Sequence, residues 1–171
     1  MNSVDLYDKC FEAIIFWEKE TFTNDPRDPG GATKWGITIA LLRSIRPGST
    51  VDDLKKMTRL DAKEIYYQAF WLQYKCEQFP AALALALFDG CVNQPALHVK
   101  KYMQQALGIP ADGVFGKKTF AAAKACDVKH TLTEFMGRRA VRYATRENVT
   151  TYGRGWFNRM FDIHRRCVEL L

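Results

Sequence analysis

Apolar residues recur at helical spacing along most of the chain. Near the N-terminal end, Leu6, Cys10, Ala13, Ile14 and Trp17 fall on one face of a helix. The same period predicts helices over residues 95–107 and 117–126, and two more toward the C-terminal end. The C-terminal pair is marked by Leu132, Phe135, Met136 and Tyr143 and then by Trp156, Met160, Ile163, Cys167 and Leu170.

Two further segments carry their own helix signals. Thr58 is followed three residues later by Asp61, the spacing of a capping box, and this predicts a helix that continues over residues 62–71. Residues 80–92 are rich in Ala and Leu and apolar on nearly every face, so this segment is predicted to be the buried central helix.

The helical pattern is interrupted between residues 21 and 38. This segment is dense in Pro and Gly, which end helices and form turns, and its last part, residues 32–38, favours short strands. The pattern therefore predicts a mainly α fold in which a short β-hairpin and loop lobe follows the first helix. With 171 residues, of which 47% are hydrophobic, the chain fits a single domain over residues 1–171.

Composition argues against several classes of protein. No apolar run is long enough to span a bilayer, so we expect no stable membrane insertion. The five cysteines and three histidines are scattered without the spacing of a metal site, and we therefore predict neither a metal nor a cofactor. Most of the cysteines are expected to be small core residues.

The net charge is +6, and arginines concentrate toward the C-terminal end. A basic surface suits a polyanion such as nucleic acid, anionic lipid or cell wall. Arg138, Arg139 and Arg142 would then meet anionic groups of the wall. The alternative is that these arginines form a solvated helix face.

Carboxylates flank the point where the first helix gives way to the irregular segment. Glu18 falls at the predicted end of the helix, and Asp25 and Asp28 lie within the irregular segment. Glycoside hydrolysis needs one protonated carboxyl group as general acid and one ionised carboxylate that stabilises the transition state or activates water. The same residues also fit ordinary roles, Glu18 as a surface charge and the two aspartates as turn residues.

Residues 17–38 resemble the signature of the glycoside hydrolase family 108 muramidases. The family pattern reads Glu-Gly-Gly-Tyr-x-Asn-Asp-Pro-x-Asp-x-Gly-Gly-x-Thr-x-x-Gly-Ile-Thr, and the chain follows it nearly completely from Asn24 to Thr38. Residues 88–93, 105–108, 112–119 and 155–159 are similar to the peptidoglycan-binding C-terminal half of that family. The chain departs from the pattern at Lys19 and Glu20, which replace the two glycines after the family's catalytic glutamate.

The resemblance implies a lysozyme-like fold and cleavage of the β-1,4 bond between N-acetylmuramic acid and N-acetylglucosamine. It assigns Glu18 as the general acid. Asp28 is the expected second carboxylate, with Asp25 as the alternative. Thr33, or alternatively Thr38, would position a water molecule.

The resemblance also divides the chain by role. Residues 1–75 are expected to form the catalytic lobe, and residues 76–171 a helical, peptidoglycan-binding half. Trp35 would either stack on a sugar ring or be a core aromatic, and Asn93 would either bind an acetamido group or cap a helix. The glycine-rich segment from Leu107 to Thr119 would either contribute to wall binding or be purely structural.

The expected partner is peptidoglycan and not nucleic acid, and the chain is expected to be a monomer. The acidic N-terminal segment lacks the pattern of a signal peptide, which predicts synthesis in the cytoplasm and action on the wall or periplasm after release. A phage endolysin released by a holin fits this picture. The alternatives are a muramidase that aids protein secretion and a non-catalytic peptidoglycan-binding protein, the latter because of Lys19 and Glu20.

Overall fold

The computed structural model describes residues 3–24 and 30–171. These residues are mainly helical and fall into two compact units, one within Met1–Gln73 and the other over Tyr74–Leu171. The predicted mainly α fold with a small hairpin is confirmed. In the described part of the chain, no helix combines the length and apolar character that a bilayer crossing requires.

The first unit begins with a helix and a hairpin. Helix α1 (Ser3–Ile15) buries Cys10, Ala13 and Ile14 of the predicted stripe. The hairpin pairs β1 (Thr33–Lys34) with β2 (Ile37–Thr38) in antiparallel fashion. It lies within the segment that the Pro and Gly pattern had marked as irregular.

Two short helices that the sequence pattern does not predict follow the hairpin. Helix α2 (Ile39–Ile45) has 7 residues and α3 (Val51–Lys56) has 6, so neither is long enough to show a clear apolar period. Each begins at a threonine whose hydroxyl accepts a backbone N–H of the first turn, Thr38 for α2 and Thr50 for α3. Side-chain capping therefore compensates for what these helices lack in length.

Helix α4 (Arg59–Tyr66) starts as predicted, because Thr58 and Asp61 form a reciprocal capping box. The predicted helix over 62–71 is present, but its second half, Tyr67–Leu72, is a π-helical turn and not an α-helix. A π turn closes its backbone hydrogen bonds over five residues instead of four. Ala69 and Trp71 are both buried in this wider turn.

An aromatic cluster joins α1 to α4 and the π turn. The ring of Phe11 meets that of Tyr66 edge-on at a centroid distance of 5.9 Å, and Tyr7 lies 5.4 Å from Trp71. The hydroxyl of Tyr7 donates to the backbone carbonyl of Lys63. These contacts fix the end of α4, and with it the side chain of Tyr66, against α1.

The second unit is built around an apolar helix, α5 (Ala81–Asn93), which is buried from Ala82 to Cys91 as the sequence predicts. It packs against three of the four helices that follow. These four helices are α6 (Ala96–Ala106), α7 (Lys117–Ala125), α8 (Val128–Ala144) and α9 (Val149–Val168). The three that pack against α5 are α6, α8 and α9. Four of the five cysteines are buried, as expected of core residues.

Asp89 is a charged residue at the centre of this apolar helix. It is fully buried and accepts from Arg139 of α8 at 2.7 Å and from Arg159 of α9 at 2.8 Å. Burial by itself raises the pKa of Asp89, but the two guanidinium groups outweigh it and hold the pKa below the ordinary value. The prediction that Arg139 lies on a solvated or wall-facing surface is therefore wrong, since its side chain is buried in this ion cluster.

The glycine-rich turn after α6 is held by one buried glutamine. The Gln104 amide donates to the Asp112 carboxylate at 2.7 Å and accepts the backbone N–H of Gly113 at 2.7 Å. Gly113 has a φ of +79°, and a Cβ there would lie 2.6 Å from Leu97 Cδ1. These contacts favour the structural alternative for this turn, because its glycine is required by backbone conformation and by packing.

The capping box of α4 generates a prediction about acid stability. Hydrogen bonds from the Thr58 hydroxyl and backbone, and from Arg46, lower the pKa of Asp61 to about 2. Asp61→Ala should therefore lower the free energy of unfolding by about 1 kcal/mol at neutral pH. Because a depressed pKa stabilises the fold only while the group is ionised, the difference from wild type should shrink as pH falls from about 4 to about 2.

Urea unfolding at a series of pH values measures this difference. Asp52→Ala is the matched control, since it removes a first-turn carboxylate of α3 that accepts no hydrogen bond among the described residues. A difference for Asp61→Ala that stays constant down to pH 2 would contradict the assignment to the ionised carboxylate.

Candidate active site

Glu18 lies three residues beyond the end of α1, in a turn that continues the helix. The backbone N–H of Trp17 donates to Ile14 at 3.0 Å, and that of Glu18 donates to Ile15 at 3.2 Å. The Glu18 side chain is partly buried. The backbone of Glu18 is therefore held by the C-terminal end of α1, close to where the sequence places it.

The tight turn of the hairpin consists of Trp35 and Gly36, which connect the β1–β2 pair. Both residues have positive φ, +54° and +69°, as a type I′ hairpin turn requires. Glycine adopts this conformation readily, but for a bulky residue such as Trp35 it is strained by about 1–3 kcal/mol. Strain of this kind persists only where the surroundings hold the residue in place.

Trp35 is held by its backbone and by burial of its side chain. Its N–H donates to the Lys19 carbonyl at 2.9 Å, and its carbonyl accepts the Tyr66 hydroxyl at 3.0 Å. The indole is only 8% exposed, and its Nε1–H finds no acceptor among residues 3–24 and 30–171. The structure thus places Trp35 in the core of the first unit, while a role in sugar stacking stays a prediction.

The absence of a side chain at Gly36 makes room for the Glu18 carboxyl group. A Cβ on Gly36 would lie 2.7 Å from Glu18 Cδ and closer still to Glu18 Oε2. The same Cβ would lie 2.8 Å from the Tyr66 hydroxyl oxygen. The Glu18 carboxyl group and the Tyr66 hydroxyl therefore meet over the backbone of the hairpin turn.

Tyr66 is a site residue that sequence reasoning missed. It is the last residue of α4 and is 1% exposed. In the sequence it is one aromatic residue within a predicted helix, which is the usual pattern of a core residue. Only the tertiary contacts show that its hydroxyl reaches the hairpin turn beside Glu18.

Lys19 and Glu20, where the family pattern has two glycines, adopt ordinary backbone conformations. Among the described residues, the only non-glycine residues with positive φ are Trp35 and Lys75. Both Lys19 and Glu20 are exposed. Neither position requires glycine for backbone conformation in this chain, and the Lys19 carbonyl still pairs with the hairpin.

The two candidate threonines have different surroundings. Thr33 forms an antiparallel bridge with Thr23, and its hydroxyl donates to the Gly31 carbonyl at 3.2 Å. The Thr38 hydroxyl accepts the Leu41 N–H at 3.1 Å as the N-cap of α2. Thr38 therefore has a structural role that the sequence did not reveal.

The two candidate aspartates, Asp25 and Asp28, lie outside the described residues. The bridge between Thr23 and Thr33 closes the backbone on either side of the segment that contains them. Which of the two is the second carboxylate stays a prediction.

Asn93 belongs to the second unit, as the last residue of α5. Its side-chain Nδ2 donates to the backbone carbonyl of Asp89 at 2.9 Å and to the Asp89 carboxylate at 3.1 Å. The C-cap residue is Gln94 and not Asn93, so the helix-cap alternative is wrong. The acetamido-binding alternative stays a prediction.

Known proteins similar to this chain support the same interpretation. The model of the family described as "Glycosyl hydrolase 108" matches residues 11–94. This region belongs to the glycosyl hydrolase 108 family. The match confirms the resemblance, and the matched residues include Glu18, the hairpin and Tyr66.

A solved structure supports the fold of the chain over nearly its whole length. Brucella abortus SagA is similar to it at 25% sequence identity with a TM-score of 0.86, over 98% of this chain and 97% of that chain. The lysozyme-like, mainly α fold is thereby confirmed. No curated protein matches the chain.

The contact between Gly36 and Glu18 predicts a specific effect of substitution in the glycosyl hydrolase 108 region. Gly36→Ala should displace the Glu18 carboxyl group and lower the rate of peptidoglycan clearing by about a hundredfold, since small misplacements of catalytic groups have effects of that size. Turbidity loss of a wall suspension measures the rate, and thermal unfolding measures the stability.

Gly48→Ala separates this displacement from backbone strain. Gly48 also has a positive φ, +85°, but a Cβ there meets nothing within 4 Å. Gly48→Ala should lose stability and keep its clearing rate. Equal losses of clearing in both variants would show that the collision with Glu18 is unimportant.

Tyr66→Phe should also lower the clearing rate, because Trp35 loses the hydroxyl that holds its carbonyl. The lost hydrogen bond should lower the free energy of unfolding by about 1 kcal/mol. Tyr67→Phe, at the neighbouring and more exposed tyrosine, is the matched control and should resemble wild type. If the Tyr66→Phe variant clears walls as fast as wild type, its hydroxyl is not needed to position the turn.

Proposed function

We propose that this chain is a muramidase that hydrolyses the β-1,4 bond between N-acetylmuramic acid and N-acetylglucosamine in peptidoglycan. Membership of the glycosyl hydrolase 108 family and the peptidoglycan hydrolase type of fold support this proposal. The observation that carries it is the close approach of the Glu18 carboxyl group to the Gly36 turn, because it places a carboxyl group just beyond the end of α1 against the hairpin.

In the proposed mechanism, Glu18 donates its proton to the glycosidic oxygen as the bond from that oxygen to the sugar carbon breaks. The second carboxylate, Asp28 or alternatively Asp25, stabilises the positive charge that develops on the sugar or activates the attacking water. Thr33 positions that water, with Thr38 as the alternative. The water adds to the sugar carbon, and its proton returns to a carboxylate.

The proposed substrate is the cell wall, so the chain acts on the wall or periplasm after synthesis in the cytoplasm. A phage endolysin released with the help of a holin is the role we favour, and a muramidase that aids secretion is the alternative within the same chemistry. The proposed protein is a monomer that binds peptidoglycan and no nucleic acid. A non-catalytic peptidoglycan-binding protein is the alternative that the exposed Lys19 and Glu20 raise.

Product analysis tests the proposed activity directly. Purified peptidoglycan is digested, reduced with borohydride and examined by mass spectrometry. Wild type should yield fragments that end in reduced N-acetylmuramic acid, and Glu18→Gln should be slower by about 100- to 10,000-fold, the usual contribution of a general acid. Glu169→Gln, at an exposed glutamate after α9, is the matched control and should resemble wild type.

Other products would point to other functions. Reduced N-acetylglucosamine ends would assign the other β-1,4 bond of the glycan strand. Wall binding without fragments from any variant would favour the non-catalytic alternative. In the same assay, Asp28→Asn should lose activity and Asp25→Asn should retain it if Asp28 is the second carboxylate.

A further inference from the structure

The second unit contains a pocket that is lined by one predicted substrate-binding residue, Asn93, and by none of the proposed catalytic residues. It has a volume of about 190 Å³ and is lined by the end of α5, the end of α8 with the turn after it, and the first half of α9. Its lining includes Asn93, Pro95, Arg142, Arg146 and Trp156. The pocket therefore combines two guanidinium groups, an amide and an aromatic ring.

Arg142 and Arg146 give the pocket its charge. Arg142 lies in the last turn of α8 and Arg146 in the turn that follows the helix, and both line the pocket. Neither side chain forms an ion pair or hydrogen bond with another described residue, whereas the neighbouring Arg138 is paired with Glu134 at 2.5 Å. The two guanidinium groups can thus donate to an incoming anion.

Trp156 supplies an apolar surface beside these charges. Its ring stacks on the buried Tyr143 at a centroid distance of 5.3 Å and an interplanar angle of 23°. The ring of Tyr152, also in α9, packs against Trp156 at a centroid distance of 6.1 Å. The indole is therefore held in place while part of it remains accessible.

Asn93 supplies a hydrogen-bond acceptor of fixed orientation. Its Nδ2 donates to two oxygens of Asp89 that can only accept. The opposite side of the amide, Oδ1, has no donor among the described residues. The adjacent Gln94 is also fixed, because its amide exchanges hydrogen bonds with the buried Arg139.

We propose that this pocket binds a carboxylate of the peptide stem of peptidoglycan. Arg142 and Arg146 bind the carboxylate, Asn93 Oδ1 accepts a neighbouring amide N–H, and Trp156 packs against an apolar part of the stem. A phosphate group has the same charge chemistry, but it offers neither an N–H for Asn93 nor an apolar face for Trp156. The assignment rests on the proposed function only in naming the wall as the source of the carboxylate.

Isothermal titration of the full chain with N-acetylmuramoyl-L-alanyl-D-glutamic acid tests this proposal. The probe contains no bond between two sugars, so its binding does not depend on whether the chain is a hydrolase. Wild type should bind it saturably, and its diamide should bind at least about tenfold more weakly. Arg142→Gln and Arg146→Gln should each weaken binding of the acid by about tenfold, as expected for the loss of a charge-assisted hydrogen bond.

Arg154→Gln is the matched control, because Arg154 is an exposed arginine of α9 that forms no ion pair with another described residue and does not line the pocket. It should bind the probe as wild type does. Thermal unfolding of each variant shows whether it is folded.

Three results would overturn the proposal. The first is absence of probe binding to wild type. The second is equal binding by the two pocket variants and Arg154→Gln, or equal binding of the acid and its diamide. The third is that glycerol phosphate competes with the probe, binds wild type with the same affinity and no longer binds Arg142→Gln and Arg146→Gln. This result would assign the pocket to phosphate. Product analysis with wild type and Glu18→Gln tests the hydrolase separately.

Discussion

The candidate active site depends on one steric constraint, the lack of space for any side chain at residue 36. The Glu18 carboxyl group and the Tyr66 hydroxyl both occupy positions that a Cβ on Gly36 would enter. This close approach brings together the end of α1, the hairpin turn and the end of α4. The strained backbone of Trp35 follows from the same turn, and hydrogen bonds to Lys19 and Tyr66 stabilise it.

The second unit depends on a different interaction, the ion cluster around Asp89. A carboxylate buried in an apolar helix is tolerated only if it is paired, and removing one partner of such a pair destabilises a protein by about 3–5 kcal/mol. Arg139 and Arg159 tie α8 and α9 to α5 through this carboxylate. The same carboxylate orients Asn93, so the interaction that stabilises the core also shapes the pocket above it.

Sequence patterns predicted the elements that have a strong period or a specific cap. The apolar helix α5 and the capping box of α4 are examples, and Glu18 was found from the family signature. Short helices such as α2 were missed because 7 residues show no clear period. Arg139 was misplaced because helical spacing does not distinguish an exposed arginine from one that pairs with a buried carboxylate, and Tyr66 was missed because its role comes from tertiary contacts.

The replacement of two family glycines by Lys19 and Glu20 has a limited structural effect. Glycine is required where φ is positive or where a backbone approaches too closely for a Cβ, and in this chain Gly36 meets both conditions. Neither Lys19 nor Glu20 has a positive φ, so neither position requires glycine for its backbone conformation. Both side chains are exposed, and the Lys19 carbonyl still pairs with the hairpin. The substitution therefore changes the charge and bulk next to Glu18 and leaves the support of its carboxyl group intact, so its effect is expected on substrate approach and not on the position of the acid.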